Sequence, residues 1–178
     1  MKKTKTIAVF GGYRTAPGEP DYDLACELGR QIASQGWALL NGGYSGTMEA
    51  SARGAKECGG HVVGVPVELF SKEVNAFTDE AHLTKDLWER IRYMLDRSDA
   101  FVILPGSTGT LAEIGMAWEF VCKKLMPPKP IIFLGEFWAP LYKVVVVTAG
   151  GRPSCGGLVR VEQTVAGAMD FLKGHWER

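Results

Sequence analysis

Three short apolar runs in this chain each end in a glycine-rich turn that leads into a helical pattern. The first is Thr6 to Phe10, closed by Gly11-Gly12 and followed by Tyr13-Arg14. The second is Trp37 to Leu40, closed by Asn41-Gly42-Gly43-Tyr44-Ser45-Gly46-Thr47-Met48. The third is Ala100 to Leu104, closed by Pro105-Gly106-Ser107-Thr108-Gly109-Thr110. Continuous apolar runs of four or five residues suit strands buried on both faces. Buried strands separated by helices imply parallel pairing, because a parallel crossover needs a long return path. The expectation is an α/β domain over residues 1–178: a Rossmann-like, doubly wound parallel sheet with helices on both faces.

The remaining segments fit that plan. Asp21 to Gln35 carries Leu24, Leu28 and Ile32 on one helical face, and Gly36 stops it. Thr47 to Cys58 is a small, alanine-rich helix, and His61 to Val65 is a third strand. Val67 to Asp79 reads as a loop and Ala81 to Thr84 as a short strand. Asp86 to Arg97 is a helix with Leu87, Ile91, Met94 and Leu95 on its core face. Thr110 to Lys124 is a helix, Ile131 to Leu134 a strand and Val165 to Leu172 a last helix. Val144 to Val147 favours strand by propensity, although its position suits a helix.

Glycine makes up 22 of the 178 residues, above the roughly 7% of an average protein. Gly11, Gly12, Gly42, Gly43, Gly46, Gly106 and Gly109 all fall in the three loops. In doubly wound sheets, ligands bind at the carboxyl ends of the strands. A glycine-rich turn opening a helix there presents free backbone N–H groups and the positive end of the helix dipole, which suits phosphate. None of the loops matches G-x-G-x-x-G or G-x-x-x-x-G-K-[ST]. Lys and Arg total 20, as do Asp and Glu. This balance argues against a nucleic-acid polymer as partner, since such binding rests on basic surface.

Compartment and metal chemistry follow from absences. The basic start, Met-Lys-Lys-Thr-Lys, is followed by an apolar run too short for a secretory signal or a membrane span. Cys26, Cys58, Cys122 and Cys155 show no C-x-x-C pairing, so they read as reduced thiols of a cytoplasmic protein. His61, His82 and His175 are too scattered for a metal site. No metal and no cofactor is expected.

The third loop and its helix also resemble a known signature. Pro105-Gly106-Ser107-Thr108-Gly109-Thr110-Leu111-Ala112-Glu113 is similar to the P-G-G-x-G-T-x-x-E segment of the LOG ("Lonely Guy") family, once labelled possible lysine decarboxylases. Glu89-Arg90 matches the family's E-R pair, Ser98 to Phe101 its strand entry, and Gly42 to Met48 its second glycine loop. Ser107 stands where the family has glycine, and Ala112 where it has the first of two glutamates. Ile91 stands where it often has lysine, and Tyr13-Arg14 where it has serines. The resemblance implies hydrolysis of nucleoside 5'-monophosphates, such as a cytokinin riboside monophosphate or AMP, to free base and ribose 5-monophosphate. It also implies a homodimer with its sites near the subunit interface, and Arg90 and Glu113 as the catalytic pair.

The candidate phosphate and nucleotide contacts are Gly12, Arg14, Gly42, Gly43, Gly46, Met48, Gly106, Ser107, Thr108, Gly109 and Thr110. The chemistry is coherent: glycosidic cleavage builds positive charge on the sugar, which a carboxylate can stabilise while it activates water. The dipole at the start of the helix favours an ionised Glu113, hence a base. Structural alternatives exist for each residue. Thr110-x-x-Glu113 fits a capping box. Arg90 could pair with Asp86 on the surface. Arg14 could be solvated, and Glu49 could simply complement its helix dipole. The functional alternative is a non-catalytic carrier of a nucleotide or of molybdenum cofactor. A lysine decarboxylase would need a pyridoxal-phosphate lysine, and no lysine lies beside the glycine loops.

Overall fold

The computed structural model describes residues 4–148 and 154–177. The basic start at Met1 to Lys3 therefore lies outside the described residues. Seven strands form one parallel sheet: β1 (Thr6–Phe10), β2 (Ala38–Asn41), β3 (Val62–Gly64), β4 (Glu80–Ala81), β5 (Ala100–Ile103), β6 (Ile131–Leu134) and β7 (Val159–Glu162). Their order is β4-β3-β2-β1-β5-β6-β7. The chain winds outward from β1 to β4, then crosses back to place β5 against β1. Val9 is paired with Val102 and Phe10 with Ile103 in that central register. The carboxyl ends of β1 and β5 therefore flank the switch point, where an α/β sheet opens a crevice.

Strand alternation divides the core in two. Ile7, Val9, Leu39, Val102 and Leu134 face α1 (Pro20–Ser34), α2 (Thr47–Glu57) and α6 (Val165–Trp176). Ala8, Phe10, Leu40, Phe101, Ile103 and Phe133 face α3 (Leu87–Arg97), α4 (Thr108–Cys122) and α5 (Ala139–Thr148). Both faces of the sheet are buried, as the unbroken apolar runs require. Helices α1 and α2 pack unusually closely through Gly29 and Gly54. A Cβ on Gly54 would strike the backbone of Cys26, and one on Gly29 that of Ser51.

The local signals explain the helix ends. Pro20 opens α1, with Asp21 and Asp23 in its first turn, where they complement the dipole. Asp86 caps α3 by accepting the Glu89 N–H at 2.9 Å, while Glu89 reaches back to the Lys85 N–H at 2.8 Å. This reciprocal arrangement engages Asp86, so the surface pair between Asp86 and Arg90 does not form.

Several expectations are corrected. The Ala81 to Thr84 strand is a two-residue β4 at Glu80–Ala81, with Thr84 in a separate bridge to Val67. Val144 to Val147 lies in α5, where Val145 and Val146 pack against the second core half and tertiary burial overrides strand propensity. Strand β7 has no counterpart in the sequence reading, because Val-Arg-Val-Glu lacks an apolar run: Arg160 and Glu162 face α6, where Arg160 lies over the Phe171 ring at 4.5 Å. Leu87 is not on the core face: it is 47% exposed. Most consequentially, Cys122 and Cys155 form a disulfide across 33 residues, against the expectation of four reduced thiols. Cys122 is the last residue of α4, and Cys155 lies in the 3₁₀ turn Ser154–Gly157. No motif spacing announces such a pair. Cys26 and Cys58 are free, the first buried and the second exposed.

Thiol titration of protein purified without reductant checks the disulfide. One thiol, Cys58, is expected to react in the native state, two after denaturation and four after denaturation with reductant; four in unreduced, denatured protein would refute the bond.

Candidate functional site

The three glycine loops meet at the switch point, joined by their own backbones. Gly12 N–H donates to the Pro105 carbonyl at 2.9 Å, linking the β1 and β5 ends. Thr47 donates to the Gly12 carbonyl from both its backbone N–H (2.9 Å) and its hydroxyl (3.0 Å). Ser45 Oγ donates to the Tyr13 carbonyl at 3.0 Å. Buried Asn41 holds the second loop by donating to Met48 O at 2.8 Å and accepting Gly43 N–H at 2.8 Å.

These bonds assign different tasks to the loops. The amino end of α2 is engaged, because Gly12 O takes the Thr47 N–H. Gly46, at φ 70°, packs against the Tyr13 backbone, and a Cβ there would collide with it. Gly42 makes room for the Arg90 guanidinium, and Gly43 for Val74. Gly42, Gly43 and Gly46 therefore act in packing and do not line the main cavity. The amino end of α4 differs. Its N-cap, Ser107, makes no side-chain capping bond, and the helix starts at Thr108. Its first N–H groups thus lack intrahelical acceptors. Gly106 packs against the Thr110 side chain with no room for a Cβ, and Thr110 is buried.

A cavity of about 680 Å³ opens beside this helix end. Gly12, Met48, Arg90, Ser107, Thr108, Gly109, Thr110 and Glu113 line it, so eight sequence-derived candidates converge there. A smaller cavity of about 230 Å³ adjoins it and is lined by Gly12, Arg14, Gly106 and Ser107 among others. Arg14 is exposed and donates from Nε to the Tyr13 hydroxyl at 3.1 Å, away from the pair described next.

Arg90 and Glu113 form that pair at the floor of the larger cavity. Their side chains are each only 10% exposed, and Arg90 Nη2 lies 3.4 Å from Glu113 Oε1. Arg90 also faces the Tyr44 ring, 5.7 Å from its centroid. Its Nε is buried without a hydrogen-bond partner among the described residues. Burial pushes the Glu113 carboxyl up to about 7, with Arg90 pulling in the opposite direction. This corrects the expectation of a carboxylate kept ionised by the dipole. Glu113 is beyond the first turn of α4, where the dipole acts most strongly, and desolvation prevails. The capping box is also absent, since α4 begins before Thr110 and Glu113 bonds to Arg90. Among the described residues, no cluster of three or more His, Cys, Asp or Glu is placed to hold a metal, and no helix is long and apolar enough to cross a membrane.

The candidate site residues left out several that line the cavity. Tyr44 lies in the second glycine loop, Leu87 and the core residue Ile91 lie on α3, and Phe70 and Ser71 enter from a segment without periodicity.

Known proteins share the family and the fold of this chain. The SLOG cluster4 family model matches residues 4–151. A cytokinin riboside 5'-monophosphate phosphoribohydrolase of Mycobacterium tuberculosis is 46% identical over 116 residues, which is 64% of this chain and 62% of that protein. One of Rhodococcoides fascians is 32% identical over 95% of this chain and 89% of its own length. Among solved structures, the molybdenum cofactor binding protein of Rippkaea orientalis superposes with a TM-score of 0.79 at 26% identity, covering 98% of both chains. The molybdenum cofactor carrier protein of Chlamydomonas reinhardtii gives 0.78 at 29% identity, covering 99% of this chain and all of its own.

A raised carboxyl ties stability to pH. A folded-state value near 7, above the ordinary 4.5, contributes stability in full below about 4.5 and loses it as pH rises through 7. Relative to Glu113→Gln, the wild type is expected to lose stability between those limits in denaturant melts; parallel curves would show Glu113 to be unperturbed. The chain belongs to the SLOG cluster4 family and, through it, to the LOG family.

Proposed function

We propose that the protein hydrolyses the N-glycosidic bond of a nucleoside 5'-monophosphate, of the cytokinin riboside monophosphate or AMP type. The observation that carries this reading is the buried Arg90–Glu113 pair opening into the same cavity as the uncapped start of α4. The 5'-phosphate docks at the N–H groups of Thr108, Gly109 and Thr110, with the hydroxyls of Ser107 and Thr108 beside it. Arg90 lends its free Nε–H to the ribose or phosphate oxygens. Glu113, a short reach along the same helix, accepts a proton from water. The water oxygen bonds to the anomeric carbon, the C–N electron pair leaves with the base, and the base takes a proton from solvent. Developing positive charge on the sugar is balanced by the Glu113 carboxylate.

A homodimer belongs to the same reading. Leu87, Trp88 and Leu111 are exposed apolar side chains on α3 and α4 near the cavity mouth, a position suited to a partner subunit. Sedimentation should give twice the 19.4 kDa chain mass; a monomer at micromolar concentration would refute it.

A second reading, a carrier that binds nucleotide or molybdenum cofactor without turnover, is supported by the two superposable carrier structures. The same cavity and helix end would take the cofactor's phosphate, and no residue in the site would need to ionise.

A screen of nucleoside 5'-monophosphates for free-base release separates the readings. Release is expected, with Glu113→Gln and Arg90→Ala each lowering kcat at least 100-fold, the scale of a lost acid–base group. Because the base form is required, kcat/KM should rise with pH and level off above about 7. A bound ligand that stays intact on prolonged incubation would favour the carrier.

A further inference from the structure

Tyr44 touches both the buried pair and the loop at Val67 to Ser71. Its ring faces the Arg90 guanidinium at 5.7 Å. Its hydroxyl accepts the Val67 N–H at 2.8 Å and donates toward the Ser71 carbonyl at 3.1 Å, with the Val67 carbonyl at 3.3 Å. Val67 and Ser71 are the two ends of a tight turn, since the Phe70 and Ser71 N–H groups both donate to Val67 O. A second attachment follows at Asn75, whose side chain donates to the Gly43 and Tyr44 carbonyls at 3.1 and 3.0 Å. The segment between these attachments is thus held to the second glycine loop at both ends.

Phe70 stands at the tip of this turn. It is 62% exposed, lines the large cavity, and has no ring partner among the described residues. An aromatic side chain held by its backbone over a cavity, with no ring stacked on it, is suited to stack on a flat ligand. Leu87 and Ile91 add apolar side chains to the lining of the same cavity. Arg90 and the α4 helix end lie on the polar side of the same cavity.

Resting on the nucleotide reading above, we propose that Phe70 forms the base-stacking side of the site and that Tyr44 is its positioning residue. Tyr44 then serves two ends of one substrate. Its ring supports Arg90 at the ribose-phosphate end, and its hydroxyl fixes the turn that sets Phe70 against the aromatic base. The ligand class is a purine-like heterocycle joined to a phosphorylated sugar, and specificity for the base lies with the 67–71 turn, apart from the phosphate loop.

The experiment is a double-mutant binding cycle in the Glu113→Gln background, which prevents turnover. Adenosine 5'-monophosphate and ribose 5-phosphate are titrated by calorimetry against the parent, Tyr44→Phe, Phe70→Ala and the double variant. Phe70→Ala is expected to raise the Kd for adenosine 5'-monophosphate about tenfold, the order of a lost base–aromatic stack, and Phe70→Trp to restore it. Tyr44→Phe, which keeps the ring over Arg90, should raise the same Kd several-fold. The double variant should be no worse than Phe70→Ala, because the hydroxyl acts through Phe70. Ribose 5-phosphate, which lacks the base, should bind all four equally, whereas Tyr44→Leu should weaken both ligands.

Additive effects in the double variant, or parallel weakening of ribose 5-phosphate by Phe70→Ala, would overturn the assignment. The catalytic reading fails separately, if Glu113-containing protein binds the nucleotide and releases no base. A protein that binds neither ligand overturns both.

Discussion

Arg90 is a guanidinium withdrawn from water on nearly every side, and the site is organised around keeping it there. A buried cation needs compensation from several directions. Glu113 supplies a counter-charge at 3.4 Å, the Tyr44 ring supplies an electron-rich face, and Gly42 supplies space. The compensation is incomplete, since Nε keeps no acceptor among the described residues. A fully satisfied pair would be a structural element. Here one donor is left over, and the pair lines a large cavity.

The same burial sets the behaviour of Glu113. Desolvation raises its carboxyl to about 7 while Arg90 opposes the rise. Desolvation prevails and leaves the value close to neutral pH, so the group changes protonation with small changes in its surroundings. A phosphate dianion nearby would raise it further, and a developing cation on a sugar would lower it. The carboxyl is therefore most easily ionised at the moment when positive charge forms beside it. This electrostatic logic needs one phosphate site and one arginine, so under the proposed reading a chain with balanced charge would need no basic surface.

How much of this was legible in the sequence depended on whether a local pattern carried the information. Strands β1, β2, β5 and β6 were readable because burial on both faces demands unbroken apolar runs. The start of α4 was readable because its hydroxyls and glycines follow such a run directly. Arg90 and Glu113 came from a motif resemblance, and helical spacing placed Arg90 beside the core stripe. What was lost depended on tertiary neighbours. Edge strand β7 is half exposed and charged, and α5 is a valine run held helical by packing. The disulfide joins residues with no spacing signal. Leu87 sits at core spacing but faces the cavity, because the floor beneath it is Arg90 and Glu113 instead of apolar side chains.

The glycine loops illustrate the same limit more sharply. In sequence all three are strand-end turns before helices, and each could be a phosphate cradle. In the fold they divide the work, and backbone hydrogen bonding decides the division. The Gly12 carbonyl takes the first N–H of α2. Neither α2 nor α4 has a side-chain cap, and the start of α4 borders the large cavity. Gly42, Gly43 and Gly46 then make close packing possible, letting Arg90, Val74 and the Tyr13 backbone approach where side chains would stand. The first two loops have bonded to each other and to their neighbours, while the third borders the large cavity. That asymmetry arises at the switch between β1 and β5, which brings three equivalent-looking turns to one place.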